Sequence, residues 1–148
     1  MPTGLTDLRG PMAEEAKKES RVRSGLVLLA GDLAVYLLAT LAGFAGNDEL
    51  RSENAGRFLV TLLSLVLGWA LLALILKLYD PAQARDRKRL WRPYLAAVFS
   101  APLGGWFRGL WLATPVQPAF ILVMAAVASG LMLVWRMGYL ILDRRRSP

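Results

Sequence analysis

Four long apolar runs, at about 24–45, 57–79, 93–112 and 118–142, take up most of this 148-residue chain. A helix rising about 1.5 Å per residue needs roughly 20 such residues to cross the ~30 Å hydrocarbon core of a bilayer, so each run is long enough to span. The runs are separated by GNDELRSENAG, by DPAQARDRKRLWRP with Pro81 and Pro93 as helix boundaries, and by the short uncharged ATPVQP. Connections this short join antiparallel neighbours. The expected fold is therefore an all-α membrane protein, an antiparallel four-helix transmembrane bundle over 24–142.

Charge placement orients it. The formal charge of +7 is not spread over a soluble basic face, which argues against nucleic acid as a partner. Instead Arg9, Lys17, Lys18, Arg21 and Arg23 precede the first run, Lys77, Arg85, Arg87, Lys88, Arg89 and Arg92 lie between the second and third, and Arg144, Arg145 and Arg146 follow the fourth. The other two connections hold only Arg51 and Arg57. Positive charge flanking a span stays in the cytoplasm, so the pattern predicts both termini inside, in the inner membrane of a bacterial or archaeal cell. Residues 1–23 read as a polar cytoplasmic arm. Its start, PTGLTDLRGP, is expected to be disordered, and AEEAKKESRVR to form a surface helix with Glu14–Lys18 and Glu19–Arg23 at i, i+4. Residues 143–148 read as a basic tail. Met12 is a second candidate start. Gly43 and Ala45 imitate a signal-peptide cleavage site, but Asp32 within the apolar run opposes cleavage.

The chain contains neither Cys nor His. That removes thiolate and imidazole metal ligands, His bases and Cys nucleophiles, and no metal or other cofactor is expected. Three ionisable residues lie inside the runs: Asp32, Arg108 and Arg136. Each costs at least about 2.5 kcal/mol at the centre of a bilayer, so each should face protein or reach an interface. Asp32 is roughly 12 Å and Arg136 roughly 9 Å from the cytoplasmic ends of their helices, nearly one level, so the two can pair. Arg136 shares its stripe with Ala125, Ser129, Met132 and Leu133, a face suited to helix packing. The alternative is that Arg136 snorkels to headgroups.

Arg108 has no such partner in sequence. The third run carries two rows of small residues, Ala96, Ser100, Gly104, Arg108 and Ala97, Ala101, Gly105, Gly109, which predict close approach to neighbours and put Arg108 on a packed side. Pro102 followed by Gly104 and Gly105 predicts a kink. Asp48, Glu49, Glu53, freed carbonyls near Pro102 or a bound anion are the expected partners of Arg108, and a ligand or polar site would comprise Arg108, Ser100, Gly104 and Gly105. A snorkelling Arg on a kinked packing helix is the competing account. Trp91, Trp106, Trp111, Tyr79, Tyr94 and Tyr139 fit an interfacial aromatic belt. Arg85, Arg87, Lys88, Arg89 and Arg92 form a basic loop placed to lie against anionic headgroups. A lone carboxylate excludes an aspartyl dyad, and the missing His excludes a Ser/His dyad, so no enzyme constellation is visible.

AGDLAVYLLATLAG, LGWALLALILKLY, APLGGWFRG and FILVMAAVASGLMLVWRMGYL together resemble a small prokaryotic membrane family known as domain of unknown function number 3054. The resemblance covers about residues 25–142. It implies a four-helix fold and marks Gly31–Asp32, Gly68–Trp69, Pro102–Gly104 with Arg108, and Trp135–Arg136. Val134 stands where a Gly is expected, and the outer loop lacks an expected His. The resemblance implies no activity. Three functional classes remain: a structural or accessory subunit of a larger membrane complex, a small transporter or channel acting as a homo-oligomer, and, least favoured, a membrane enzyme.

Overall fold

A computed structural model of the chain describes residues 9–80 and 86–146. Among them are four α-helices and no strand: α1 (Arg9–Gly46), α2 (Ala55–Ile75), α3 (Trp91–Leu112) and α4 (Pro118–Arg146), with short 3-10 turns at Ser52–Asn54 and Arg87–Arg89. Residues 1–8, which include most of the expected disordered start, together with Pro81 and Arg85, lie outside the described residues. The arm is not a separate surface helix. Its residues from Arg9 onward are the first turns of α1, which runs unbroken for 38 residues, because nothing between Arg9 and Gly46 breaks helical geometry except Pro11 in the first turn, where proline is tolerated.

Burial follows one stripe on each helix. On α1 it begins at Leu28 and continues through Asp32, Val35, Tyr36, Ala39, Thr40 and Phe44, the spacing of a single helical face. On α2 the inward side is Thr61, Ser64, Leu65, Gly68, Trp69 and Ala73, whereas Leu59, Leu63, Leu67, Leu71 and Leu74 point outward. This is the reverse of a water-soluble helix. Small and polar residues face the protein, and leucines face the surroundings.

Packing contacts run from α1 to α2, α2 to α3, α3 to α4 and α4 back to α1, with α3 engaged most closely on both flanks. The two rows of small residues on α3 divide between its neighbours. A methyl group on Gly104 would lie 2.9 Å from Leu65 Cα, and one on Gly68 would lie 2.9 Å from the Ser100 carbonyl oxygen, so α2 and α3 touch backbone to backbone. On the other row, a methyl on Gly105 would lie 3.2 Å from Ile121 Cγ1 of α4.

Three helical segments are long and apolar enough to cross a membrane: Met12–Gly46, Ser52–Ile75 and Pro118–Arg144. The α3 segment, expected to be a fourth on the same footing, falls short. Arg92 and Arg108 lower its hydropathy, and its buried side is Ala, Ser and Gly, which contribute contact but little apolar bulk. Helical structure continues through Pro102, although Pro102 offers no N–H to the Val98 carbonyl. At the far ends, Lys77 (φ 51°) and Ala113 (φ 50°) adopt left-handed geometry, the Leu78 N–H returns to the Ala73 carbonyl, and the chain turns Leu78 inward.

Gly104→Ala and Gly68→Ala are each expected to destabilise the protein by about 1–3 kcal/mol, since backbone rather than a flexible side chain meets the added methyl. Gly130→Ala, whose methyl meets nothing within 4 Å, should cost nothing. Melting curves of the three variants in one mild detergent check this.

Candidate functional site: a buried ion pair and the polar interior around it

Asp32 sits at the centre of the inward stripe of α1, fully buried, and Arg136 occupies the corresponding stripe of α4 with 4% exposure. Arg136 Nη2 donates to Asp32 Oδ2 at 2.7 Å. Two aromatic residues complete the surroundings. The Trp135 indole lies against the bare Cα of Gly31, in space that any side chain at 31 would fill. The Tyr79 ring lies 6.0 Å from the Arg136 guanidinium, and its hydroxyl accepts a hydrogen bond from Trp69 Nε1 at 3.1 Å. Tyr79 is therefore not the belt residue its place at a helix end predicts; the turn after α2 folds it back onto the pair. Asp32 Oδ1, Arg136 Nε and Trp135 Nε1 are buried without a hydrogen-bond partner. Unpaired polar atoms in a low-dielectric interior are costly, and the Asp32 charge is compensated first by Arg136, with the polar ends of Tyr79 and Trp135 close by.

One turn along α1, Tyr36 packs on Trp69 with ring centroids 5.6 Å apart. The Tyr36 hydroxyl hydrogen-bonds Ser100 Oγ at 2.5 Å, and Ser100 Oγ lies 2.8 Å from the Ala97 carbonyl oxygen. Thr40, Thr61 and Ser64 direct their hydroxyls to the carbonyl four residues earlier on their own helices, which satisfies them without a partner helix. Tyr36 and Trp69 escape an inspection of charged residues alone. The signal for Tyr36 is its i+4 spacing from Asp32.

Arg108 is half-buried, and its partners are not the expected acids. Its Nε donates to Thr61 Oγ1 of α2 at 3.1 Å, and its guanidinium lies 5.1 Å from the Phe120 ring centre of α4. Glu49 faces Arg57 at 3.6 Å, and Glu53 faces Arg51 at 3.7 Å. The four residues expected to form one polar site are divided: Ser100 bonds Tyr36, Gly104 packs on α2, Gly105 packs on α4, and Arg108 bridges Thr61 and Phe120. In the basic loop, Arg89 contacts Asp86 at 3.3 Å, and Lys88 and Arg89 are exposed. Trp91, Trp106 and Trp111 are each more than half exposed, as belt residues would be, whereas Tyr139 packs against Trp135.

The family described as a protein of unknown function, DUF3054, matches residues 29–139. The chain belongs to DUF3054. The match takes in both members of the ion pair, the Gly68–Gly104 contact and Arg108. No curated protein and no solved structure matches the chain.

Within this DUF3054 chain, the hydrogen bond between α1 and α3 makes an asymmetric prediction. Ser100→Ala strands the buried Tyr36 hydroxyl and should cost about 1–3 kcal/mol. Tyr36→Phe leaves Ser100 Oγ with the Ala97 carbonyl and should cost only about 1 kcal/mol. Thermal melts of the two variants give the order.

Proposed function

We propose that this protein spans the bacterial or archaeal cell membrane four times as an antiparallel bundle, with both termini in the cytoplasm, and serves as a structural or accessory subunit of a larger membrane assembly. The outward leucines of α2 and the exposed tryptophans of α3 support a lipid-facing exterior. The fourth span is α3, carried by burial of its small-residue rows between α2 and α4 rather than by its own apolarity. The basic residues before Ser24, around Arg89 and at Arg144 support the cytoplasmic side.

The observation that carries the accessory role is the start of α1. Every residue from Met12 to Arg23 is exposed, yet the helix continues through them without a break. At about 1.5 Å per residue, this polar segment extends roughly 18 Å past the first buried turns. A largely polar helical segment that is exposed along its whole length suits bridging to another protein. The interior polar groups, by contrast, are used to fasten helices together, and no nucleophile–base pair is built from them.

A second reading, a small oligomeric transporter or channel with an anion or small-molecule site, is favoured by Arg108. A hydroxyl and a ring face answer its charge, and it stays half-exposed.

The chain has no native Cys, so single Cys substitutions report topology without background. Cys at Ser20 and at Lys88 should be protected from an impermeant maleimide in intact cells, and Cys at Asp48 should react. Native purification should recover the chain with other subunits, and deleting Met12–Arg23 should release them without preventing insertion. Recovery of the same lone homo-oligomer with and without that segment, together with anion-induced stabilisation lost in Arg108→Ala, would favour the transporter reading instead.

A further inference from the structure

Two clefts adjoin at the end of the molecule that carries the basic loop, and Leu90 is a wall of both. One, of about 70 Å³, is apolar, formed by Leu90 with Met137, Leu140 and Ile141 of α4, and Arg144 is its only charged lining residue. The other, of about 20 Å³, is lined by Leu78, Leu90 and Pro93 with Arg89, Arg92, Arg136 and Asp86, of which Arg89 is paired with Asp86 and Arg136 with Asp32. Arg136 is 96% buried, as its 4% exposure implies, and its Nε has no partner although it lines this second cleft. The Arg89–Asp86 contact is 3.3 Å long between side chains 45% and 40% exposed, a solvent-exposed pair of little strength that an incoming anion can displace. Apolar and basic recesses with a common wall are complementary to a molecule that is itself half chain and half anion.

We propose that the adjoining clefts form a docking site for one anionic phospholipid. Its acyl chain lies along Met137 and Ile141, which are 45% and 53% exposed, and its phosphate lies between Arg144 and Arg89, with Arg136 behind. Guanidinium groups suit this role because their forked N–H donors match phosphate oxygens two at a time. The clefts are shallow, so the lipid is seated against the protein rather than enclosed. This site rests on the membrane reading above and adds to it a specific address for the lipid, beyond general attraction of a basic loop to a charged surface.

The test uses the full chain in neutral detergent, mixed with equal amounts of phosphatidylglycerol and phosphatidylcholine of identical acyl chains, with bound lipid counted by native mass spectrometry. The wild type should favour phosphatidylglycerol several-fold. Arg89→Gln with Arg144→Gln should remove the several-fold preference and bring the ratio close to one while phosphatidylcholine still binds. Arg89→Lys with Arg144→Lys should keep part of the preference, and Lys17→Gln with Lys18→Gln, which removes equal charge from α1, should keep all of it. The proposal is overturned if the α1 variant loses as much as the cleft variant, if the cleft variant keeps the wild-type ratio, or if excess inorganic phosphate displaces the lipid. Release of the chain from membranes by alkaline carbonate would instead remove the membrane reading itself.

Discussion

Burying a carboxylate and a guanidinium away from water costs several kcal/mol per ion, and the contact between Asp32 and Arg136 is what makes both positions tolerable. The arrangement of the helices depends on it. The α2–α3 interface is closed by reciprocal glycine contacts, and α4 lies against Gly105 of the same central helix. Contacts of α1 with its neighbours are sparser. What fastens α1 is directional: Asp32 to Arg136, Tyr36 to Ser100, and Trp135 over Gly31. These three contacts occupy adjacent turns and fix both the depth and the rotation of α1. A helix held mainly by apolar contact would slide more readily, because leucine against leucine is nearly the same one turn away.

The interior combines an apolar cluster around Tyr36, Leu65, Trp69, Met124 and Met132 with small and polar residues, and the consequence is a division of labour among residue types. Leucines make the exterior, glycine, alanine and serine set helix spacing, and a few hydroxyls and charges set register. Hydroxyls that bond to their own helix, as at Thr40 and Ser64, fill space without demanding a partner. Thr61 does this and also accepts from Arg108, which ties α2 to α3 far from the ion pair. Two arginines thus hold the protein at two levels in different ways, one through a carboxylate and one through a hydroxyl and an aromatic face.

Much of this was legible in the sequence because helical periodicity and depth are one-dimensional quantities. The common level of Asp32 and Arg136, and the two rows of small residues on α3, can be counted along the chain. Partners set by the loops cannot. Tyr79 reads as an interfacial aromatic until the turn at Lys77 folds it back against Arg136. Arg108 has the outer-loop carboxylates Asp48, Glu49 and Glu53 and the carbonyls near Pro102 as expected partners, yet it meets Thr61, because α2 and α3 approach closely enough at Gly68 and Gly104 to put that hydroxyl within reach. The continuity of the arm with α1 was hidden by a change of composition near Ser24 that alters what the helix faces without ending it.

Asp32 and Arg136 act as a unit, and a double-mutant cycle measures their coupling. Asp32→Ala and Arg136→Ala are each expected to destabilise the detergent-solubilised protein by about 3–5 kcal/mol, because each leaves the other charge buried and unpaired. The double variant should lose far less than the sum of the two. Additive losses would show that the residues contribute independently, and would contradict the account of how α1 is held.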